Sequence, residues 1–241
     1  MGKLTDALKA VFGSNKTTGT YVPLVTQAGA PDGNISMANL ASVLGGITST
    51  DGVGVAVYES DYLRFRQPDQ AATYKNIAVG VWVNVGGKLI VVAKDQVAST
   101  KWATSNVSGG TTTKGREAAI ADMDGRSNTS TIITTLGDNA PAAKYCQGYY
   151  PSNVESNNAF VGAGRWWLPS AGELWMIWSH LIEINHIMTI IGGTPLNRSQ
   201  AYWSSTENSA TYAWYLTFGS GHFYYSGKAY EYSVRPVSAF Y

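Results

Sequence analysis

Tyr202 to Tyr241 reads YWSSTENSATYAWYLTFGSGHFYYSGKAYEYSVRPVSAFY. The stretch holds Tyr202, Tyr212, Tyr215, Tyr224, Tyr225, Tyr230, Tyr232 and Tyr241, more than half of the chain's 15 tyrosines, interleaved with Ser, Thr, Gly, Asn and one His. Tyr offers a large amphipathic contact surface with only two side-chain torsions to freeze, and Ser, Gly and Asn add adaptable hydrogen bonds, so this is the composition of a binding surface. High strand propensity accounts for Tyr equally well, and composition alone leaves both readings open. Alternation sends Trp214, Leu216, Phe218 and Phe223 inward and leaves Tyr215, Thr217 and Ser220 to His222 outward or in a turn. Gly219, Ser220 and Gly221 read as the turn of a hairpin. Val234 to Val237 reads as a last strand returning to the core, with Pro236 tolerable only at an edge or bulge.

YWSSTE at Tyr202 to Glu207, the Ala213 and Trp214 pair, the turn from Phe218 to Gly221 and VRPV at Val234 to Val237 follow RWWLPSAGEL at Arg165 to Leu174. Together they resemble the C-type-lectin-like domains of gut Bacteroidales and their phages, and more narrowly the variable proteins of diversity-generating retroelements. The resemblance covers the second half of the chain and hardly touches the first fifty residues. It implies an α+β, C-type-lectin-like fold of two main helices packed on small antiparallel sheets, with a short N-terminal arm. In that family the template's Asn codons are randomised to a set that excludes Lys, Glu, Gln, Met and Trp. Every residue from Asn208 to Gly227 except Trp214 belongs to the permitted set. The resemblance implies variable, ligand-binding positions at Tyr212, Tyr215, Thr217, Gly219, Ser220, His222, Tyr224, Tyr225, Ser226, Tyr230 and Tyr232, with Trp214, Phe218 and Gly221 as fixed scaffold.

The chain has 241 residues, enough for one large domain and an appendage. The expected division is an attachment or oligomerisation arm over 1–50 and a ligand-binding domain over 51–241, its variable tail near 202–237. Net charge is +1, and no Lys/Arg run supplies the concentrated basic patch that phosphate binding requires, so nucleic acid is not expected as a partner. Cys146 is alone, which excludes an intramolecular disulfide and a cysteine-rich metal site. Leu4, Leu8, Val11 and Phe12 suggest a short amphipathic helix rather than a signal peptide or membrane span, since Lys9 interrupts any apolar run. Gly2 lacks the Ser or Thr that a myristoylation motif places where Asp6 stands. The reading is a protein made in the cytoplasm without a cleaved signal, which favours a virion component. Asn34 to Leu44 reads as one helix with Ser36 as N-cap and Gly45 as its stop, inside a polar arm suited to mounting on other virion proteins.

From Val53 the texture is β. Strands are expected near 53–58, 77–85 and 88–94, with Gly86-Gly87 as a two-residue hairpin turn. Thr100 to Lys114, around Trp102, reads as an exposed loop. Asp122, Asp124 and Gly125 lack the spacing and bidentate Glu of an EF-hand loop and read as a turn capping the next helix. Helices are expected over Asn128 to Leu136, capped by Asn128 or Thr129, and Ala140 to Tyr149, with Pro141 in its first turn. A third runs on from the Ser170/Glu173 capping box through Leu174, Ile177, Trp178, Leu181 and Ile182 to Gly192-Gly193. His180 and His186, six apart, do not share a helical face as a metal pair would.

Three functional classes compete. No G-x-S-x-G or H-E-x-x-H occurs, and only Glu207 and Glu231 are carboxylates near the tyrosines, so an enzyme is not expected. The distantly similar formylglycine-generating enzymes use active-site cysteines that Cys146 does not supply. A calcium-dependent lectin would pair Glu and Asn beside Pro and carry Trp-Asn-Asp, and neither pattern is present. The favoured class is a receptor-binding protein without cofactor, displayed on a phage tail or head. Its partner would be a host-surface protein or glycan, and a homotrimer would suit multivalency. A fixed-specificity, calcium-independent lectin or a structural decoration protein of a virion is the alternative.

Overall fold

The computed structural model describes residues 21–25, 31–36, 52–59 and 62–239. The first fifty residues supply an antiparallel pair, β1 (Tyr21–Val25) with β2 (Pro31–Ser36), where no strand was expected. Asn34 to Ser36 are therefore strand rather than the start of a helix. The remainder of that expected helix, and the one over Leu4 to Phe12, lie outside the described residues.

The Val-rich run from residue 52 builds a five-stranded antiparallel sheet from β3 (Gly52–Glu59), β4 (Tyr62–Arg66), β5 (Ala78–Val85) and β6 (Lys88–Ala93), with a strand from the far end of the chain, in the order β12-β6-β5-β3-β4. The expected strands fall within a residue of these. Gly86 and Gly87 turn β5 into β6 at φ of 59° and 82°, the left-handed geometry a tight hairpin needs. Both faces are covered, which explains continuous apolar runs instead of clean alternation. One face presents Val55, Val81, Val83 and Val92 to the helices; the other buries Ala56, Leu63, Phe65, Trp82 and Val91 under Tyr149, Val161 and Trp166.

A second five-stranded sheet has the order β10-β9-β8-β11-β7, from β7 (Val97–Lys101), β8 (Ala201–Glu207), β9 (Tyr212–Thr217), β10 (His222–Gly227) and β11 (Glu231–Val234). It is mixed rather than antiparallel throughout, because β11 runs parallel to β8 at Ser233 and Tyr202. After β11 the chain passes Pro236, outside either ladder, and enters the first sheet as β12 (Val237–Ser238), paired with β6. Arg235, fully buried, fixes this crossing by donating to the carbonyls of Ala93, Lys94 and Thr194 and to Gln96 Oε1 at 2.6–3.0 Å.

Among the described residues six α-helices accompany the sheets: α1 (Ala71–Tyr74), α2 (Arg116–Ala121), α3 (Gly125–Leu136), α4 (Pro141–Gly148), α5 (Ala171–Ser179) and α6 (Leu181–Ile190). Asp124, not Asn128 or Thr129, caps α3, its side chain accepting from Ser127 N. Asp122 and Asp124 thus serve the turn expected of them. Ser170 and Glu173 form the expected capping box. The single long helix expected beyond it is two, broken at His180 (φ −116°, ψ 23°). The break separates two packing roles: α5 lies against β8 and β9 of the second sheet and β5 of the first, and α6 lies against β3 and β5 of the first. Past the break the buried stripe is Leu181, Ile184, Ile187 and Met188, and Ile182, expected inward, is 75% exposed.

Candidate ligand-binding surface

The β9–β10 hairpin pairs Leu216 with Phe223 and Trp214 with Tyr225, and on its other face Thr217 with His222, Tyr215 with Tyr224 and Ala213 with Ser226. Trp214, Leu216, Phe218 and Phe223 are buried as alternation requires. Trp214 donates from its indole to Thr113 O at 2.9 Å, and Trp178 to Phe218 O at 3.2 Å, so the hairpin is bolted to the loop before α2 and to α5. Gly221 turns the chain at φ 71° directly against Trp178; an added Cβ would stand 2.3 Å from Trp178 Cζ2. Gly221→Ala should therefore cost about 1–3 kcal/mol from the positive φ alone. An unaltered denaturation midpoint would show that the turn is not held there.

The opposite face carries an unbroken row of rings. His222 lies 6.0 Å from Tyr224, Tyr224 6.1 Å from Tyr215, Tyr215 4.6 Å from Tyr232, and Tyr232 4.6 Å from Trp203, centroid to centroid. Trp203 is the buried floor, anchored by its indole to Thr100 O. Tyr232 donates to Ser226 Oγ at 3.3 Å, so the small residue beside the row is joined to it. Burial, then the neighbouring Tyr232, pushes the Tyr215 phenol up to about 12.

Of the remaining sequence-expected residues, Thr217 shares the face of this row and the others surround it. Tyr225 and Tyr212 project from the other side of the hairpin at the open edge of β10, 5.6 Å apart, with Tyr225 edge-on to Trp214 at 5.3 Å. Gly219 and Ser220 form the exposed tip, where Thr217 and Ser220 share a 2.8 Å hydroxyl hydrogen bond. Tyr230, 65% exposed, sits in the turn at the far end of β10. The eleven residues thus wrap both sides of an edge strand rather than tiling one plane. Trp203, the buried floor of the row, was legible only as part of a motif.

The segment between Asn208 and Gly227 is held at its two ends by buried charges that no sequence pattern marks. Lys228 and Glu207 are fully buried and form an ion pair. Glu207 also accepts from Gly109 N and Thr111 N, each at 2.7 Å; Lys228 also donates to Val107 O at 2.7 Å and lies 4.5 Å over the Trp102 ring. Desolvation pulls the Lys228 ammonium below its ordinary value while Glu207 opposes that shift. Trp102, expected in an exposed loop, is 1% exposed: its first residues belong to β7, and its indole donates to Ser204 O at 2.8 Å. A polar stretch can fold inward when a buried pair consumes its backbone amides.

Other candidates resolve into structure. Asp122 accepts from Asp124 N, Asn128 Nδ2 and Thr206 Oγ1, which ties α3 to β8. Burial raises the Cys146 thiol well above its ordinary value, the state of an inert core cysteine. Among the described residues no group of three or more His, Cys, Asp or Glu is placed to hold a metal ion, and no helix is long and apolar enough to cross a membrane.

Residues 92–238, from the end of β6 through α2 to α6 and the whole second sheet to β12, match the family described as the Lcl C-terminal domain. The chain belongs to that family. Its Lcl C-terminal domain contains the aromatic row, the Glu207–Lys228 pair and both main helices. Among solved structures, the crystal structure of a fimbrial protein from Bacteroides ovatus is similar, with a TM-score of 0.56 and 17% sequence identity, covering 78% of this chain and 49% of that one. The chain therefore spans about half the length of that fimbrial protein, and the likeness is one of fold, which here is α+β with two five-stranded sheets and flanking helices. No curated protein matches.

Proposed function

We propose that this chain is a receptor-binding protein of C-type-lectin-like fold whose β9–β10 surface recognises a molecule on a host cell. The observation that carries this reading is the separation of roles along the hairpin. Trp214, Leu216, Phe218, Phe223 and Gly221 hold the scaffold, while Tyr212, His222, Tyr224, Tyr225 and Tyr230 project to solvent and take little part in it. Rigid, amphipathic rings with adaptable hydroxyls beside them are the chemistry of a recognition surface. The likeness to a fimbrial protein supports an adhesin-like role at an exterior surface.

On this reading the surface is diversified by a retroelement, the chain is displayed on a phage particle through its N-terminal arm, several copies add avidity, and no catalysis or cofactor is involved. Deep sequencing of the gene in a natural population tests it. Substitutions should concentrate at Tyr212, Tyr215, Thr217, Ser220, His222, Tyr224, Tyr225 and Ser226 and spare Trp214, Phe218 and Gly221. Changes scattered evenly and mostly silent would instead leave a module of fixed specificity or a structural part of a particle.

A further inference from the structure

The first sheet carries, on the face away from α6, a cleft that the tyrosine surface does not use. Tyr58 of β3 forms part of its wall, its ring 6.4 Å from Phe160, and the polar loop after α4 forms the rest, with a volume of about 600 Å³. The loop is fixed by its own backbone: Asn158 N donates to Glu155 O at 3.0 Å, Gly162 N to Asn158 O at 3.1 Å and Ala163 N to Ser156 O at 2.8 Å. Two amides are oriented by spending one end on the protein. Asn158 Oδ1 accepts from Phe160 N and Val161 N at 2.9 and 3.1 Å, and Asn153 Nδ2 donates to Ala78 O at 3.3 Å. Among the described residues their other ends, Asn158 Nδ2 and Asn153 Oδ1, take no partner, and the side chains of Ser152, Glu155 and Asn157, all exposed, make no hydrogen bond.

We propose that this cleft binds a neutral saccharide. Sugar hydroxyls each donate and accept, and the cleft offers a held donor at Asn158, a held acceptor at Asn153, and further partners at Asn157, Glu155 and Ser152 beside an aromatic ring on which a sugar's C–H face can lie. Its volume falls in the range of roughly 300–1,000 Å³ typical of small-ligand sites. Among the described residues Glu155 is the one acidic group in the lining and no Lys or Arg joins it, so uronic, sialic and sulfated sugars are disfavoured by charge. The site is independent of the tyrosine surface and would give the domain a second point of attachment.

The test places the full chain on an array of neutral galactose-, mannose- and N-acetylhexosamine-containing oligosaccharides with sialylated and sulfated counterparts. Neutral glycans should give the signal. The Glu155→Ala/Asn157→Ala variant, altered only at exposed side chains, should keep the parent melting temperature and lose about tenfold or more in binding, the effect of removing two modest hydrogen bonds. The Tyr224→Ala/Tyr225→Ala variant should bind the same glycans as the parent. Three outcomes overturn the proposal: no neutral glycan bound, binding indifferent to the cleft variant, or binding lost in the tyrosine variant, which would assign the glycan to the aromatic surface.

Discussion

Lys228→Met is expected to lower stability by about 3 kcal/mol, because it removes one partner of a buried pair and leaves the Glu207 carboxylate without its counter-charge. Losses of this kind run to about 5 kcal/mol, but Glu207 keeps the Gly109 and Thr111 amides and the Thr111 hydroxyl as donors, which places the effect at the lower end. For a chain of this size that corresponds to a fall in melting temperature of roughly 6–12 °C. Adding Glu207→Gln to the same chain should recover only part of the loss: the buried charge is then gone on both sides, but the new NH2 group is set against the N–H of Gly109 or Thr111, a donor facing a donor. The exposed Lys144–Asp138 pair is the natural control: Lys144→Met should leave the melt unchanged, because water already solvates both groups. Equal melts for the Lys228 and Lys144 variants would show that the Glu207–Lys228 pair holds nothing.

The pair also explains what the sequence could and could not disclose. The strands β3, β5 and β6 of the first sheet, the Gly86-Gly87 turn, the Ser170/Glu173 box and the inward positions of the hairpin were legible because each is written in a local code: a period of two, a positive φ, an S-x-x-E spacing. Glu207, Lys228 and Arg235 were not, because nothing local marks a charge as buried. Their partners are Gly109, Val107, Ala93 and Thr194, distant in sequence and mostly backbone carbonyls and amides. The same gap misplaced Trp102, whose polar neighbours suggest solvent while Lys228 and Ser204 draw it inward. The break at His180 was hidden for another reason: apolar residues continue at helical spacing on both sides, and what each half packs against is set by strands distant in sequence. For the tyrosines, composition named the residues but not their sides, since which face each strand presents depends on the register of β9 with both β8 and β10.

That register divides the tyrosines into two classes with opposite expected behaviour. Tyr224 and Tyr225 are about half exposed and stand on opposite faces of the open edge strand, with no hydrogen bond from either phenol to the described residues. The Tyr224→Ala/Tyr225→Ala variant should melt within a few degrees of the parent, as surface substitutions do. If both are binding anchors worth about 2 kcal/mol each, it should lose roughly a thousandfold in affinity for its cell-surface ligand, read as retention on host cells by the labelled protein. Tyr215 and Tyr232 differ because each packs against the buried Trp203 and against the other. Removing either ring takes away aromatic contacts worth about 0.5–1.5 kcal/mol beyond their area, so Tyr215→Ala should lower stability by about 2 kcal/mol as well as weaken binding. Where diversification acts on this surface, the two classes should differ in what replaces them: any small or polar residue at Tyr224 and Tyr225, but mainly other aromatic or large side chains at Tyr215 and Tyr232, since only those keep Trp203 covered. A stability loss for the Tyr224/Tyr225 variant as large as that for Tyr215→Ala would place the edge strand's rings in the core, and the separation of scaffold from surface on which the receptor-binding reading rests would fail.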